Sequence, residues 1–300
     1  MDGFISTIQR YSTKDGPGIR SSVFAIGCNL NCKWCSNPEL IEAYPKILYH
    51  PERCVKCGSC AALSGGTIRL ESNGCVIDRQ RCTNLNECAA ICFHDAYEHI
   101  GTTISVTELV ARLLRDKAFY DQSGGGVTYS GGEPALQADF FIETTKLLKK
   151  DSVHVALDTA GNIPWETLAP LVEAVDMVLY DIKTFDNTLH KHFTGTDNAL
   201  ILENARLIAE MKKSMIIRMI LVPGINDNIE EIERRLNFVS DLGNAATRLD
   251  ILKYHRLGAG KYLRLGLQEP MGDTPECSDD IAAFAAQKAH SMGLPVCIGG

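Results

Sequence analysis

The chain has 300 residues, 45% of them hydrophobic, and a formal charge of -7, enough for one barrel-sized domain or two smaller ones. That acidic balance argues against a broad phosphate-binding face, and so against general nucleic-acid binding. No apolar run reaches signal-peptide length at the amino terminus or membrane-span length elsewhere, which predicts a cytoplasmic protein without a membrane partner.

In chain order, a short apolar strand is predicted over residues 22–27, feeding directly into Cys28-x3-Cys32-x2-Cys35. Residues 54–92 then hold seven of the twelve cysteines, with Gly-rich turns and little helical periodicity, and read as an insert. Cysteines crowded at such spacings in a reduced compartment point to metal ligation instead of disulfides. Beyond the insert, strands are predicted at 126–130, 153–157, 177–181, 215–222 and 248–253. Helices are predicted at 136–149, at 163–174, over part of 187–212, at 229–242 and at 278–292. Strand-then-helix repeats favour parallel pairing through right-handed crossovers, hence an α/β fold; pattern alone leaves a partial barrel and a doubly wound sheet open.

The polar residues cluster at one end of these strands. Cys28 follows the first, Gly131-Gly132-Glu133-Pro134 the second, Asp158-Thr159 the third and Asp181-Ile182-Lys183 the fourth; Arg218 lies within the fifth and Tyr254-His255 closes the sixth. Carboxyl ends of parallel strands share one face, so these residues are expected to line one cleft. Any one of them could merely solvate a loop; the full set is read as a site. Three cysteines leave one position of a metal centre free for an outside ligand, whereas four would close it, and structural zinc with a remote fourth ligand is the alternative.

The cysteine run resembles the signature of radical S-adenosylmethionine enzymes, and flanking motifs narrow the likeness. Asp15-Gly-Pro-Gly-Ile-Arg20, the Asn37-Pro-Glu39 that follows Cys35, SGGGVTYSGGEP at 123–134, LDTAG at 157–161, LYDIK at 179–183, IRMILVPGIND at 217–227 and KYHRLGAGKY at 253–262 resemble glycyl-radical enzyme activating enzymes of the pyruvate formate-lyase activase type. The resemblance implies a partial (β/α)6 barrel formed by 1–47 and 101–300, with a ferredoxin-like cysteine-rich insert over 48–100, after the first strand. It implies that Cys28, Cys32 and Cys35 hold three irons of a 4Fe-4S cluster and that S-adenosylmethionine chelates the fourth. A 5'-deoxyadenosyl radical would then take a hydrogen atom from a glycine of a partner glycyl-radical enzyme, with a flavodoxin or ferredoxin-type electron donor. Asn37, Gly131, Gly132, Glu133, Asp158, Thr159, Asp181, Lys183, Arg218 and His255 match cofactor-lining positions. Glu133 is the expected acceptor for the amine; Asp158, Thr159 and Asp181 are expected to offer oxygens to a monovalent cation. Lys183 and its neighbours are assigned to positioning, not proton transfer. Asp15 is the expected contact for the partner's glycine segment. A transiently docking monomer is expected.

The insert carries Cys54-x2-Cys57-x2-Cys60-x3-Ser64 and Cys82-x2-Leu85-x2-Cys88-x3-Cys92, each the bacterial ferredoxin spacing with one position lost. Because the fourth cysteine of each run serves the other run's cluster, Cys54, Cys57, Cys60 and Cys92 complete one 4Fe-4S set. The second site, with Ser64 and Leu85, keeps only Cys82 and Cys88 and is expected to be lost or altered; Cys75 is the one candidate to rescue that second site, though nothing in its spacing supports it. The rival readings are a radical enzyme acting on a small molecule or peptide, and an iron-sulfur electron-transfer protein.

Overall fold

The protein is described here by a computed structural model covering residues 1–299. Strands β1 (Asp2–Ser12) and β2 (Arg20–Ala25) run antiparallel. Next come β3 (Lys46–Tyr49), α1 (Ser59–Leu63), β4 (Ile68–Glu71), β5 (Gly74–Ile77), α2 (Leu85–Ala90) and β6 (Tyr97–Ile100), in the cysteine-rich stretch. Strand β7 (Thr102–Ser105) returns to β1 and leads into α3 (Val106–Leu113) and α4 (Lys117–Ser123). Strands and helices then alternate: β8 (Gly126–Gly131), α5 (Ala138–Lys150), β9 (His154–Thr159), α6 (Trp165–Ala174), β10 (Met177–Asp181), α7 (Asn187–Thr194), α8 (Ala199–Glu210), β11 (Ser214–Leu221), α9 (Ile229–Asp241) and β12 (Ala246–Lys253). Helices α10 (Ala259–Leu265) and α11 (Asp279–Ser291) and strand β13 (Val296–Ile298) complete the chain.

The main sheet has nine strands in the order β13-β12-β11-β10-β9-β8-β2-β1-β7. From β2 to β13 every pairing is parallel. Strands in such a sheet are covered on both faces, which is why Val127, Tyr129, Val155, Leu157, Val178 and Tyr180 are fully buried. Three of the covering helices, α7, α9 and α11, begin where a side chain accepts an otherwise orphaned N–H: Asp186 from Leu189, Asn228 from Glu231 and Ser278 from Ile281. Among the described residues no helix is long and apolar enough to cross a membrane.

Several boundaries differ from the expectations. The chain's first strand is β1, so the cysteine-rich stretch follows the second strand, not the first. Strand β1 escapes periodicity because much of its length is exposed, and it pairs antiparallel near one edge of the sheet. The strand predicted over 22–27 ends at Ala25, since Gly27 turns out of the ladder with φ +106°. A seventh parallel strand, β13, is only three residues long, too short for a pattern. Helices α1 and α2, of five and six residues, are likewise too short to display a helical repeat.

Candidate active site

The parallel strands deliver their carboxyl ends to one cleft of about 700 Å3. It is lined by Cys28, Cys32, Cys35 and Asn37 after β2, Gly131 and Gly132 at the end of β8, Asp158 and Thr159 on β9, Asp181 and Lys183 at β10, Arg218 on β11 and His255 after β12, with Asp15 between β1 and β2. Residues separated by more than two hundred positions therefore meet because the strands are parallel.

The cysteine loop is pinned from both sides. Cys28 N–H donates to the Ile41 carbonyl at 2.8 Å, while Asn31 and Lys33 donate to Thr194 and Phe193 at 2.8 and 2.9 Å. The Leu30 N–H points at Cys28 Sγ (3.5 Å) and the Asn37 N–H at Cys35 Sγ (3.4 Å), the pattern that favours an anionic sulfur. Burial pushes the thiols up, Cys28 to about 11 and Cys32 to about 12, and Lys183 pulls both down. Ligation by iron removes those protons, so a thiol-rich loop with inward-facing N–H donors and a cation nearby fits an iron-sulfur cluster. Among the described residues no three His, Cys, Asp or Glu side chains converge as a single-ion site would require.

The double glycine after β8 serves the chain first. Gly131 has φ +111° and a Cβ there would meet the Ala25 backbone at 2.5 Å; at Gly132 it would meet the Gly27 carbonyl at 2.2 Å. Close approach to β2 and the cysteine loop thus requires both glycines, while their backbone still lines the cleft. Glu133 does not line it. Its carboxylate is buried, accepting from Thr159 Oγ1 at 2.8 Å and from the Ala135 and Ala160 N–H groups at 3.1 Å each. The amine acceptor expected of Glu133 is therefore not this carboxylate, which instead fastens the turn after β8 to the end of β9. Burial pushes Glu133 up to about 7, against the pull of those hydrogen bonds. A raised carboxyl contributes stability that is full below its unfolded value of 4.5 and lost as pH rises through about 7. Denaturant titrations of metal-free protein should therefore show wild type losing about 2–3 kcal/mol relative to Glu133→Gln between pH 4.5 and 8. Parallel pH profiles would refute this.

Asp158, Asp181, Lys183 and Arg218 form one charge cluster. Arg218 Nη1 lies 2.8 Å from Asp158 Oδ2, at ion-pair distance but off hydrogen-bond geometry, and its Nε lies 3.4 Å from Asp181 Oδ1. Lys183 also donates to Asp181, and Ser130, within the 123–134 motif but assigned no role by it, donates to Asp158 at 2.6 Å. Burial alone would raise Asp181, but Lys183 and Arg218 outweigh it and hold its carboxyl low; Asp158 remains raised by burial despite Arg218. The monovalent cation expected here does not fit these residues as placed. Both carboxylates are matched by Arg218 and Lys183, and Thr159 Oγ1 is occupied by Glu133 and the Gly161 N–H.

On the cleft wall, Asp15 accepts from Ser12 and Ser22, and its carbonyl accepts from Thr128. Arg20, fully buried, donates to Thr128, Val127 and Pro17, which fixes the loop of 15–18 onto β8. Lys261 was not singled out by the sequence. Its ammonium donates to Asn37 Oδ1 and Glu39 Oε1, both at 2.6 Å, so α10 holds the segment after Cys35. The signal was Asn37-Pro-Glu39 itself, two acceptors in need of a cation. His255 is exposed at the cleft wall.

In the cysteine-rich stretch, Cys54, Cys57, Cys60, Cys75, Cys88 and Cys92 line a second, smaller cavity. Cys75, which its spacing left unassigned, packs against Cys54 and Cys60. Cys82 is apart from that lining, its thiol donating to Asn84.

An α/β sheet whose strand ends gather a three-cysteine loop over a charged cleft defines a radical S-adenosylmethionine protein, and the profile of the Radical SAM superfamily matches residues 22–239. The isethionate sulfite-lyase activating enzyme of Nitratidesulfovibrio vulgaris is 36% identical over 96% of this chain and 97% of its own. The trans-4-hydroxy-L-proline dehydratase activating enzyme of Clostridioides difficile is 38% identical over 87% of each. A domain of the pyruvate-formate lyase-activating enzyme of Bacteroides vulgatus superposes with a TM-score of 0.51 at 29% identity, covering 59% of this chain and 100% of that one. The chain thus belongs to the radical SAM superfamily and, within it, to the activating enzymes of glycyl-radical enzymes.

Proposed function

We infer that the protein installs a radical on a glycine of a partner glycyl-radical enzyme. With a 4Fe-4S cluster and S-adenosylmethionine bound, the chemistry supplied is reductive formation of a 5'-deoxyadenosyl radical that abstracts the glycine hydrogen. Cys28, Cys32 and Cys35 hold the cluster. Asn37, the backbone of Gly131 and Gly132, Asp158, Lys183, Arg218 and His255 position the nucleoside, and no proton transfer is assigned to Lys183. Thr159 and Asp181 line the same wall, and Glu133 supports it from behind. Asp15 meets the backbone of the partner's glycine segment. One observation carries this reading: the cysteine loop and the Asp15 loop line the same cleft. A radical generated at one wall is then within the space the partner's segment enters.

The seven parallel strands are read as a partial (β/α)6 barrel with β13 added. The insert spans 48–100; the β3–β6 ladder, joining Lys46–Tyr49 to Tyr97–Ile100, and a separate small core around Ile47, Ile68 and Tyr97 support a distinct unit whose first strand begins slightly before that bound. The insert holds one further 4Fe-4S cluster, relaying electrons from a flavodoxin or ferredoxin-type donor. Anaerobically reconstituted protein should then carry about eight irons per chain; about twelve would mean a second insert cluster. The chain acts as a monomer that docks transiently.

The decisive test uses partner enzyme, drawn from neighbouring reading frames, whose glycine is α-deuterated. Deuterium recovered in 5'-deoxyadenosine, with a doublet radical signal on the partner, is the expected result. Unlabelled 5'-deoxyadenosine would favour a small-molecule substrate, and none at all an electron carrier.

A further inference from the structure

The ferredoxin spacing pairs Cys54, Cys57 and Cys60 with Cys92, yet the fold brings a different thiol to them. Strands β4 and β5 form an antiparallel hairpin, Leu70 opposite Cys75 and Glu71 opposite Gly74. Its register turns Cys75 inward, 8% exposed, with its N–H donating to Tyr49 Oη at 2.7 Å. There Cys75 Sγ lies 3.7 Å from Cys60 Sγ and 3.9 Å from Cys54 Sγ. Cys57, tied to Cys60 by its x2 spacing, and Cys92, on the second run, line the same cavity without a thiol contact of their own.

A second observation points to something that belongs between these thiols. The hydroxyl of Tyr97, 8% exposed in the cavity wall, has no nitrogen or oxygen partner and faces the Cys60 sulfur. A buried hydroxyl is stabilised by a strong acceptor, and iron ligation would turn the neighbouring thiol into one. An anionic sulfur is such an acceptor. The cavity is only about 20 Å3, and the three thiols do not enclose a single ion. Cluster loading must therefore spread them. Gly65 and Gly66, both at positive φ, lead into β4 and leave the backbone there without side-chain restriction on adjustment.

We propose that Cys75 is the fourth ligand of the insert's 4Fe-4S cluster, completing a set with Cys54, Cys57 and Cys60 in place of Cys92. The β4–β5 hairpin, inserted between the two cysteine runs, supplies what the loss of the paired ferredoxin site removed: a thiolate held at that cluster independently of the second run. This rests on the reading that the insert holds a cluster.

The test is anaerobic reconstitution of the full-length chain, with iron and acid-labile sulfide counted and the reduced clusters examined by electron paramagnetic resonance. Wild type should hold about eight irons, Cys92→Ala about eight and Cys75→Ala about four. Wild type holding about four would remove the insert cluster itself, and the proposal with it. Given a wild type of about eight, a full complement in Cys75→Ala, or an equal loss in Cys92→Ala, overturns the assignment of Cys75 alone. Cys75→Ser keeps the side-chain volume and offers an oxygen ligand, so it guards against a misfolded alanine variant. Its reduced spectrum should differ from wild type; an identical spectrum overturns the proposal.

Discussion

Cys32→Ala protein, reconstituted without oxygen and reduced with dithionite, is expected to form no measurable 5'-deoxyadenosine from S-adenosylmethionine. Loss of an outer-shell partner to a metal costs roughly ten- to hundredfold, and removal of a ligand itself costs more. Here the missing thiolate has no replacement. Outside this loop the cysteines nearest in sequence, Cys54, Cys57 and Cys60, line a separate cavity, and the backbone of 28–33 is anchored at Ile41, Thr194 and Phe193, so the loop cannot slide to recruit another ligand. Cys57→Ala is the control. Cys57 is exposed and lies in the insert, so its loss should spare some reductive cleavage while removing iron. Equal inactivity of the two variants would overturn the division between a radical-generating cluster and an auxiliary one.

Arg218→Met should have the second largest effect, and it should appear in stability before it appears in activity. The side chains of Arg218, Asp158 and Asp181 are 19%, 13% and 18% exposed, so the pairs are only weakly screened. Removing one partner of a buried pair leaves uncompensated charge, at a cost of about 3–5 kcal/mol, and here two carboxylates lose the cation between them. Lys183 would still hold Asp181, leaving Asp158 with Ser130 alone. The sign with pH follows. Burial already raises Asp158 and Arg218 opposes that, so without Arg218 its carboxyl rises further and its protonation relieves the repulsion. The deficit of the variant, measured by denaturant unfolding of metal-free protein, should therefore be larger at pH 8 than at pH 5. A deficit independent of pH would show that Arg218 contributes packing, not charge.

Much of this protein is written locally. Residues 126–130 and 177–180 are short runs with few charges, buried on both faces, and such runs can be recognised wherever the chain is met, as can the helices that follow them. The three-cysteine loop and the strand-end polar residues are equally legible, because the chemistry of a ligand set depends on residue type and spacing. Strand β1 was not, since an exposed antiparallel strand near an edge owes its conformation to partners it finds, and those partners are β2 and β7.

Within the site, sequence determined which groups are present, and tertiary structure decided what each one faces. Glu133 is charged and follows two glycines, features suited to a ligand, yet the turn after β8 directs it inward onto Thr159 and Ala160. Lys261 and Asn37 are more than two hundred residues apart and meet only because α10 packs beside the cysteine loop. Cys75 has no spacing that assigns it, but hairpin register alternates side chains strictly and so placed it against Cys54 and Cys60. Spacing along a chain encodes contacts within a turn or two; contacts across a sheet or between a hairpin and a loop exist only once the backbone has closed.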